Sequence, residues 1–273
     1  MNAAKTAKTL MWICLVVISA LSLFPFYIMI VMGTHYNEDL FKGIPILPGD
    51  YLADNLKTVM SADFMSVYLN SLIVSVVSVV LATLTSTLIG YALAKFEFRG
   101  RKALQTFVVL TMMVPTQVGL IGYIIEMRNL GVGNTLWPVI LVWAAFPFGA
   151  FFMVQFIRDS IPNDLLECAR IDGCSEPGIF VRIVLPIMKP GLATLATLVF
   201  LWSWNNYLLP LVTINKSEWY TLPIFISNLG IVHRTDYAAR MLALTLTTVP
   251  VLILFVLGSK TFMKGLTAGA VKG

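Results

Sequence analysis

The chain has 273 residues, of which 58% are hydrophobic and only 12% charged, and its mean hydropathy is +0.84. A soluble domain carries about 25% charged residues, so this composition excludes one and puts the chain in the membrane class. The net charge of +5 reports orientation in a bilayer before it reports an anionic partner, and no nucleic-acid binding is expected.

Six stretches lack Asp, Glu, Lys, Arg and His: 10–33, 67–94, 103–125, 136–157, 191–214 and 241–259. Each is long enough to cross a hydrocarbon core of about 30 Å as a helix, which satisfies its own backbone hydrogen bonds. Barrel strands would be shorter and alternating. The whole chain, 1–273, therefore reads as a single all-α membrane domain with six transmembrane helices. Lys5 and Lys8 before the first stretch resemble a signal peptide, but the apolar run exceeds the roughly 7–15 residues of a cleaved one and is read as a retained helix. Pro115 and Pro147 are expected to kink the third and fourth spans.

An even number of spans puts both termini on one side. That side holds thirteen of the 19 Lys and Arg residues, so the termini are expected in the cytoplasm. The outer segments are then 35–66, a turn at 128–135, and 215–240; Pro45, Pro48 and Gly49 mark the first as irregular. The three cysteines, Cys14, Cys168 and Cys174, form no paired framework and are read as thiols. His35 and His233 fall in other loops, so no metal site is expected.

The loop at 158–190 is longer than a connector needs. Pro162 suits a first helical turn, Asp164 favours the helix N-terminus, and Gly173 fits a left-handed C-terminal cap. Leu165, Cys168, Ala169 and Asp172 share one face. Ser175 is the expected N-cap of a second helix through Ile179, Phe180 and Ile183, ending at Pro186.

Within this loop Glu167-Cys168-Ala169 is followed after three residues by Gly173, then after nine by Ile183, with Leu185-Pro186 beyond. The pattern resembles the signature of ATP-binding cassette importer permeases: Glu-Ala-Ala, three residues, Gly, nine residues, Ile, one residue, Leu-Pro. Cys168 replaces the first alanine, a residue of similar size. The stretches 200–211 and 265–273 and Pro115-Thr-Gln117 look like the maltose-type carbohydrate permeases, so the resemblance covers essentially the whole chain.

The resemblance implies a loop that docks into a separate ATPase through Glu167, Cys168, Ala169, Asp172, Gly173, Ile183, Leu185 and Pro186. It also implies a C-terminal contact with that ATPase through Thr267, Gly269 and Lys272. No Gly-x-x-x-x-Gly-Lys-Ser/Thr loop occurs, so the chain is expected to hold no cofactor and to be no enzyme, with ATP and Mg on the partner. The implied assembly contains a second homologous permease, two ATPase subunits and an extracytoplasmic solute-binding protein, set in the lipid of a prokaryotic inner membrane.

The implied cargo is a sugar or oligosaccharide. Trp202, Trp204, Asn205, Asn206 and Tyr207 combine flat rings with amides suited to sugars, and the same residues equally suit helix packing. No span carries a basic side chain, which favours neutral cargo over a phosphorylated polyol. The absence of intramembrane carboxylates and histidines disfavours proton symport, while sodium coupling through carbonyls stays open. A membrane receptor or scaffold is the reading from a different class.

Overall fold

In the computed structural model, residues 2–229 and 236–268 are described, and the regular structure among them is helical. The α-helices are α1 (Asn2–Met32), α2 (Leu52–Ser61), α3 (Phe64–Lys95), α4 (Arg101–Met113), α5 (Leu120–Asn129) and α6 (Trp137–Leu141). They continue as α7 (Pro147–Ser160), α8 (Asn163–Ile171), α9 (Glu176–Ile179), α10 (Leu185–Trp204), α11 (Leu208–Thr213), α12 (Leu222–Asn228) and α13 (Tyr237–Ala268). His233, Gly269 and Lys272 lie outside the described residues, and Thr267 falls in α13.

Among the described residues five helical runs are long and apolar enough to cross a membrane: Lys5–Met32, Phe64–Lys95, Trp137–Ser160, Glu176–Trp204 and Tyr237–Val256. The apolar stretch at 103–125 is not one helix. It is split between α4 and α5, because Val114 is extended (φ −80°, ψ 120°), the conformation that Pro115 imposes on the residue before it. Pro115 thus breaks the helix instead of kinking it. Pro147 acts alike: Phe146 is extended (φ −102°, ψ 95°) and the proline becomes the first residue of α7. The fifth apolar stretch also differs from 191–214, since its helix ends at Trp204 and α11 restarts after Asn205–Tyr207.

The chain forms two compact units, one of residues 1–66 and 225–250 and one of 67–224 and 251–273. In the first, Pro45, Pro48 and Gly49 lie in an irregular stretch, as read, and α2 follows it. Asn55 Nδ2 donates to the carbonyls of Gly33 and His35 at 2.9 and 2.8 Å, and the Gly49 N–H donates to Thr34 Oγ1 at 2.8 Å. A Cβ at Gly33 would stand 3.1 Å from the backbone of Leu242, so α1 and α13 approach closely here.

In the second unit the core joins α3, α7, α8 and α10 through Ala82, Met153, Ile157, Leu166, Met188 and Leu195, all essentially inaccessible. Gly90 lets α3 and α7 meet backbone to backbone: a Cβ there would lie 2.6 Å from Met153 Cβ and 3.0 Å from its carbonyl carbon. The Asn70 amide donates to the Glu218 and Tyr220 carbonyls at 2.8 and 3.1 Å, pinning the segment after α11 to α3.

Candidate functional site

Between α7 and α10 the chain builds a compact knob. Pro162 sits at the N-cap position of α8, one residue earlier than expected, with Asp164 in the first turn. At the other end Gly173 has φ +80°. Its N–H donates to the Arg170 carbonyl, and the Cys174 N–H to the Ala169 carbonyl, both at 3.0 Å. This pair of bonds closes a helix at a left-handed residue. Ser175 Oγ then accepts from the Gly178 N–H at 3.4 Å, capping α9.

The second helix does not stop at Pro186. A widened π turn at Phe180–Val184 carries α9 into α10, with the Leu185 N–H bonded to the Phe180 carbonyl five residues back. Pro186 therefore falls in the first turn of the next α-helical register, where its missing N–H and fixed φ are accommodated. The run Glu176–Trp204 is one rod leading from the knob into the apolar bundle.

The face shared by Leu165, Cys168, Ala169 and Asp172 is not buried as a unit. Leu166 and Ala169 are buried, beside Ile161 and Ile179, against Met153, Ile157, Val184 and Met188. Leu165, Cys168 and Asp172 are exposed instead, as are Glu167 and Ile171, the last 85% accessible. The eight residues singled out by the loop motif thus divide. Ala169 is buried, Ile183 and Leu185 are half-buried, Gly173 makes the turn, and Glu167, Cys168, Asp172 and Pro186 face outward.

Four side chains whose contacts the sequence did not show, Arg170, Glu176, Tyr91 and Lys95, brace the knob and tie it to α3. Arg170 Nε donates to Glu176 Oε1 at 2.6 Å across the Gly173 turn, and the Tyr91 hydroxyl donates to Glu176 Oε2 at 3.1 Å. The Glu176 bond pushes the Arg170 guanidinium still further towards its protonated form. Lys95, read only as an orientation signal, donates from Nζ to the Ile161 carbonyl and, at 2.9 Å, to Asn163 Oδ1. One end of α3 so holds the start of α8 and the start of α9.

The helix breaks create a second feature in the same unit. A cavity of about 490 Å³ is lined by Thr116 and Gln117 after α4, Tyr123 of α5, Trp143 and Phe146 before α7, and Asn206 between α10 and α11. None of its lining residues is charged. Of the five ring and amide residues singled out in the fifth span, Asn206 alone lines it; its Oδ1 accepts from the Leu209 N–H at 3.3 Å. Trp202 lies with its ring 5.7 Å from that of Phe146, and Trp204 is buried against Phe200 and Tyr68. Asn205 Nδ2 donates back to the Leu201 carbonyl at 2.8 Å, and Tyr207 is exposed.

Residues 86–268, which include the knob and the whole cavity lining, match the family described as binding-protein-dependent transport system inner membrane component. The chain belongs to this family. Its members are transporter components and not hydrolases. The permease protein AraQ of the arabinooligosaccharides transport system of Halalkalibacterium halodurans is 34% identical over 277 residues, covering 98% of this chain and 99% of its own. The permease protein DasC of the diacetylchitobiose uptake system of Streptomyces coelicolor is 33% identical, with 92% of each chain covered. A chain from the crystal structure of a bacterial ABC transporter involved in the import of the acidic polysaccharide alginate superposes with a TM-score of 0.83, covering 96% of this permease and 98% of that chain. At 21% identity that likeness establishes the shared fold.

Proposed function

We propose that this permease moves a sugar or oligosaccharide into the cytoplasm of a prokaryotic cell as one half of an ATP-driven importer's membrane channel. The observation that carries the reading is its end-to-end likeness to the arabinooligosaccharide permease. The cavity supports it: amides, hydroxyls and aromatic faces without any charge suit a neutral polyhydroxylated solute and not a phosphorylated one.

In this reading the chain works as one permease domain with six crossings, α4 and α5 together making the third. A second homologous permease completes the pathway, and a solute-binding protein delivers cargo from outside. Two ATPase subunits bind ATP and Mg, so this chain needs no cofactor of its own. The outward residues Glu167, Cys168, Asp172 and Ile171 meet the ATPase, and Thr267, Gly269 and Lys272 extend the same contact. ATP binding shifts the inward–outward equilibrium only through a differential affinity for the two states, which requires a stiff link between subunits. The continuous rod Glu176–Trp204 and the α3 brace supply that stiffness.

Uptake of labelled neutral oligosaccharides by the reconstituted assembly tests the assignment; a receptor or scaffold would give none. Within that assay Asn206→Ala should change the ranking of sugars by roughly 1 kcal/mol, the scale of one hydrogen bond, while assembly persists. An unchanged ranking with lost assembly would make Asn206 a packing residue. Orientation is checked separately: a reporter fused after Gly273 should be cytoplasmic and one inserted at Gly49 external, as the distribution of Lys and Arg requires.

A further inference from the structure

Two adjoining cavities lie where the α3–α4 turn meets the end of α7, away from the knob's exposed face and from the cavity at the helix breaks. One, of about 270 Å³, is a mainly apolar slot between α4 and α7 walled by Leu93, Val108, Val109, Phe151 and Val154, with Thr106 and Gln155 also lining it. The other, of about 490 Å³, is bounded by Glu97, Arg101, Lys102 and Arg158. Gln105 and Arg158 belong to both, so the apolar slot opens into a basic mouth.

The mouth carries more positive charge than the chain balances. Its one carboxylate, Glu97, pairs with Arg101, whose Nε also donates to the Leu93 carbonyl at 2.9 Å. Neither Lys102 nor Arg158 has a side-chain hydrogen bond or ion pair among the described residues. Lys95 adds a further cation nearby, lending its ammonium to Asn163. In addition α4 opens on Gly100 (φ +94°) with no side-chain cap, and Arg101 and Lys102 occupy its first turn. Cations at the positive end of a helix dipole are unfavourable, and an anion at that point relieves both the dipole and the mutual repulsion of the basic groups.

A bare anion would fill the mouth and leave the slot empty. An amphiphile with an anionic head fills both. Glu97 and Arg158 of the mouth stand two residues from Lys95 and Ser160, where two of the apolar runs end, and the ends of membrane-spanning helices meet lipid headgroups. We propose that Lys102 and Arg158 hold the phosphate of an anionic phospholipid, one of whose acyl chains lies in the slot between α4 and α7. The bound head neutralises the charge directly before the knob, since Arg158 lies in the last turn of α7 and α8 starts three residues after that helix ends.

The test uses the permease purified with its partners and mixed with phosphatidylglycerol or phosphatidylcholine of identical chains, retained lipid being counted by native mass spectrometry. The wild type should retain phosphatidylglycerol over phosphatidylcholine by roughly tenfold or more, the scale of two basic residues at a membrane surface. Lys102→Gln with Arg158→Gln should abolish that preference. Val109→Trp should reduce retention by filling the slot with the charges intact, and millimolar inorganic phosphate should not displace the lipid. Equal retention of both lipids by the wild type, or an undiminished preference in the double variant, overturns the proposal. So does displacement by phosphate with no effect of Val109→Trp, which would mark a simple anion site. Loss of a partner subunit from the double variant with lipid retention unchanged would mark a protein contact instead and equally overturn it.

Discussion

Gly173→Asp should leave this permease folded and inserted while uptake and stimulated ATP hydrolysis fall together by at least about tenfold, a change that needs only ~1.4 kcal/mol of lost coupling. Gly173 sits at φ +80°, and a Cβ built there meets nothing within 4 Å of its own chain. The cost inside the subunit is thus the left-handed backbone alone, roughly 1–2 kcal/mol. The two closing bonds from Gly173 and Cys174 involve backbone atoms and survive the change. What changes is the outward surface, where a third carboxylate would join Asp172 and Glu167, near Cys168 and Ile171. Gly173→Asn separates the two effects, because asparagine tolerates the left-handed region and adds no charge; it should retain more uptake than the aspartate. The readouts are uptake, ATP hydrolysis and co-purification of the ATPase in one reconstituted preparation. Normal uptake by a normally expressed Gly173→Asp complex would remove the knob from the coupling route.

The largest effect on folding is expected at Gly90. A Cβ there overlaps Met153 Cβ and its carbonyl carbon, and lies 3.2 Å from the Val154 nitrogen, so the obstacle includes backbone that cannot swing aside. Gly90→Ala should cost roughly 1–3 kcal/mol through overpacking, and Gly90→Leu more, because α3 and α7 must separate. The same contact holds the core on which the knob rests, so separation should loosen Leu166 and Ala169 as well. A lowered thermal midpoint and reduced yield of monodisperse protein are the expected signs. Gly122→Ala is the matched control: nothing lies within 4 Å of its Cβ, and within α5 the change should not lower the midpoint, alanine being favoured over glycine in a helix by about 1 kcal/mol. Equal midpoints for Gly90→Leu and wild type would refute the close α3–α7 approach.

The sequence by itself determined the features that depend on neighbours a few residues away or on composition. Apolar content put the chain in a membrane, because the cost of burying charge in hydrocarbon is paid residue by residue. The turn at Gly173 and the cap at Ser175 were legible because chirality and the unpaired N–H groups of a helix end are local constraints. The spacing from Glu167 to Pro186 marked the knob as a unit. The tertiary structure decided what a hydropathy count cannot register. The stretch at 103–125 is uniformly apolar yet broken, since Pro115 acts on the backbone and not on transfer energy. Pro186 looked like a helix stop and is not one, because the π turn before it shifts the hydrogen-bond register. On α8 a short helix offers several apolar rows, and contact with Met153 and Met188, both far away or across a turn in sequence, selected Leu166 and Ala169 as the buried one. The brace from Tyr91 to Glu176 joins groups 85 residues apart. Such pairs are set by which helix surfaces meet in the folded bundle, and nothing in the residues between them encodes the meeting.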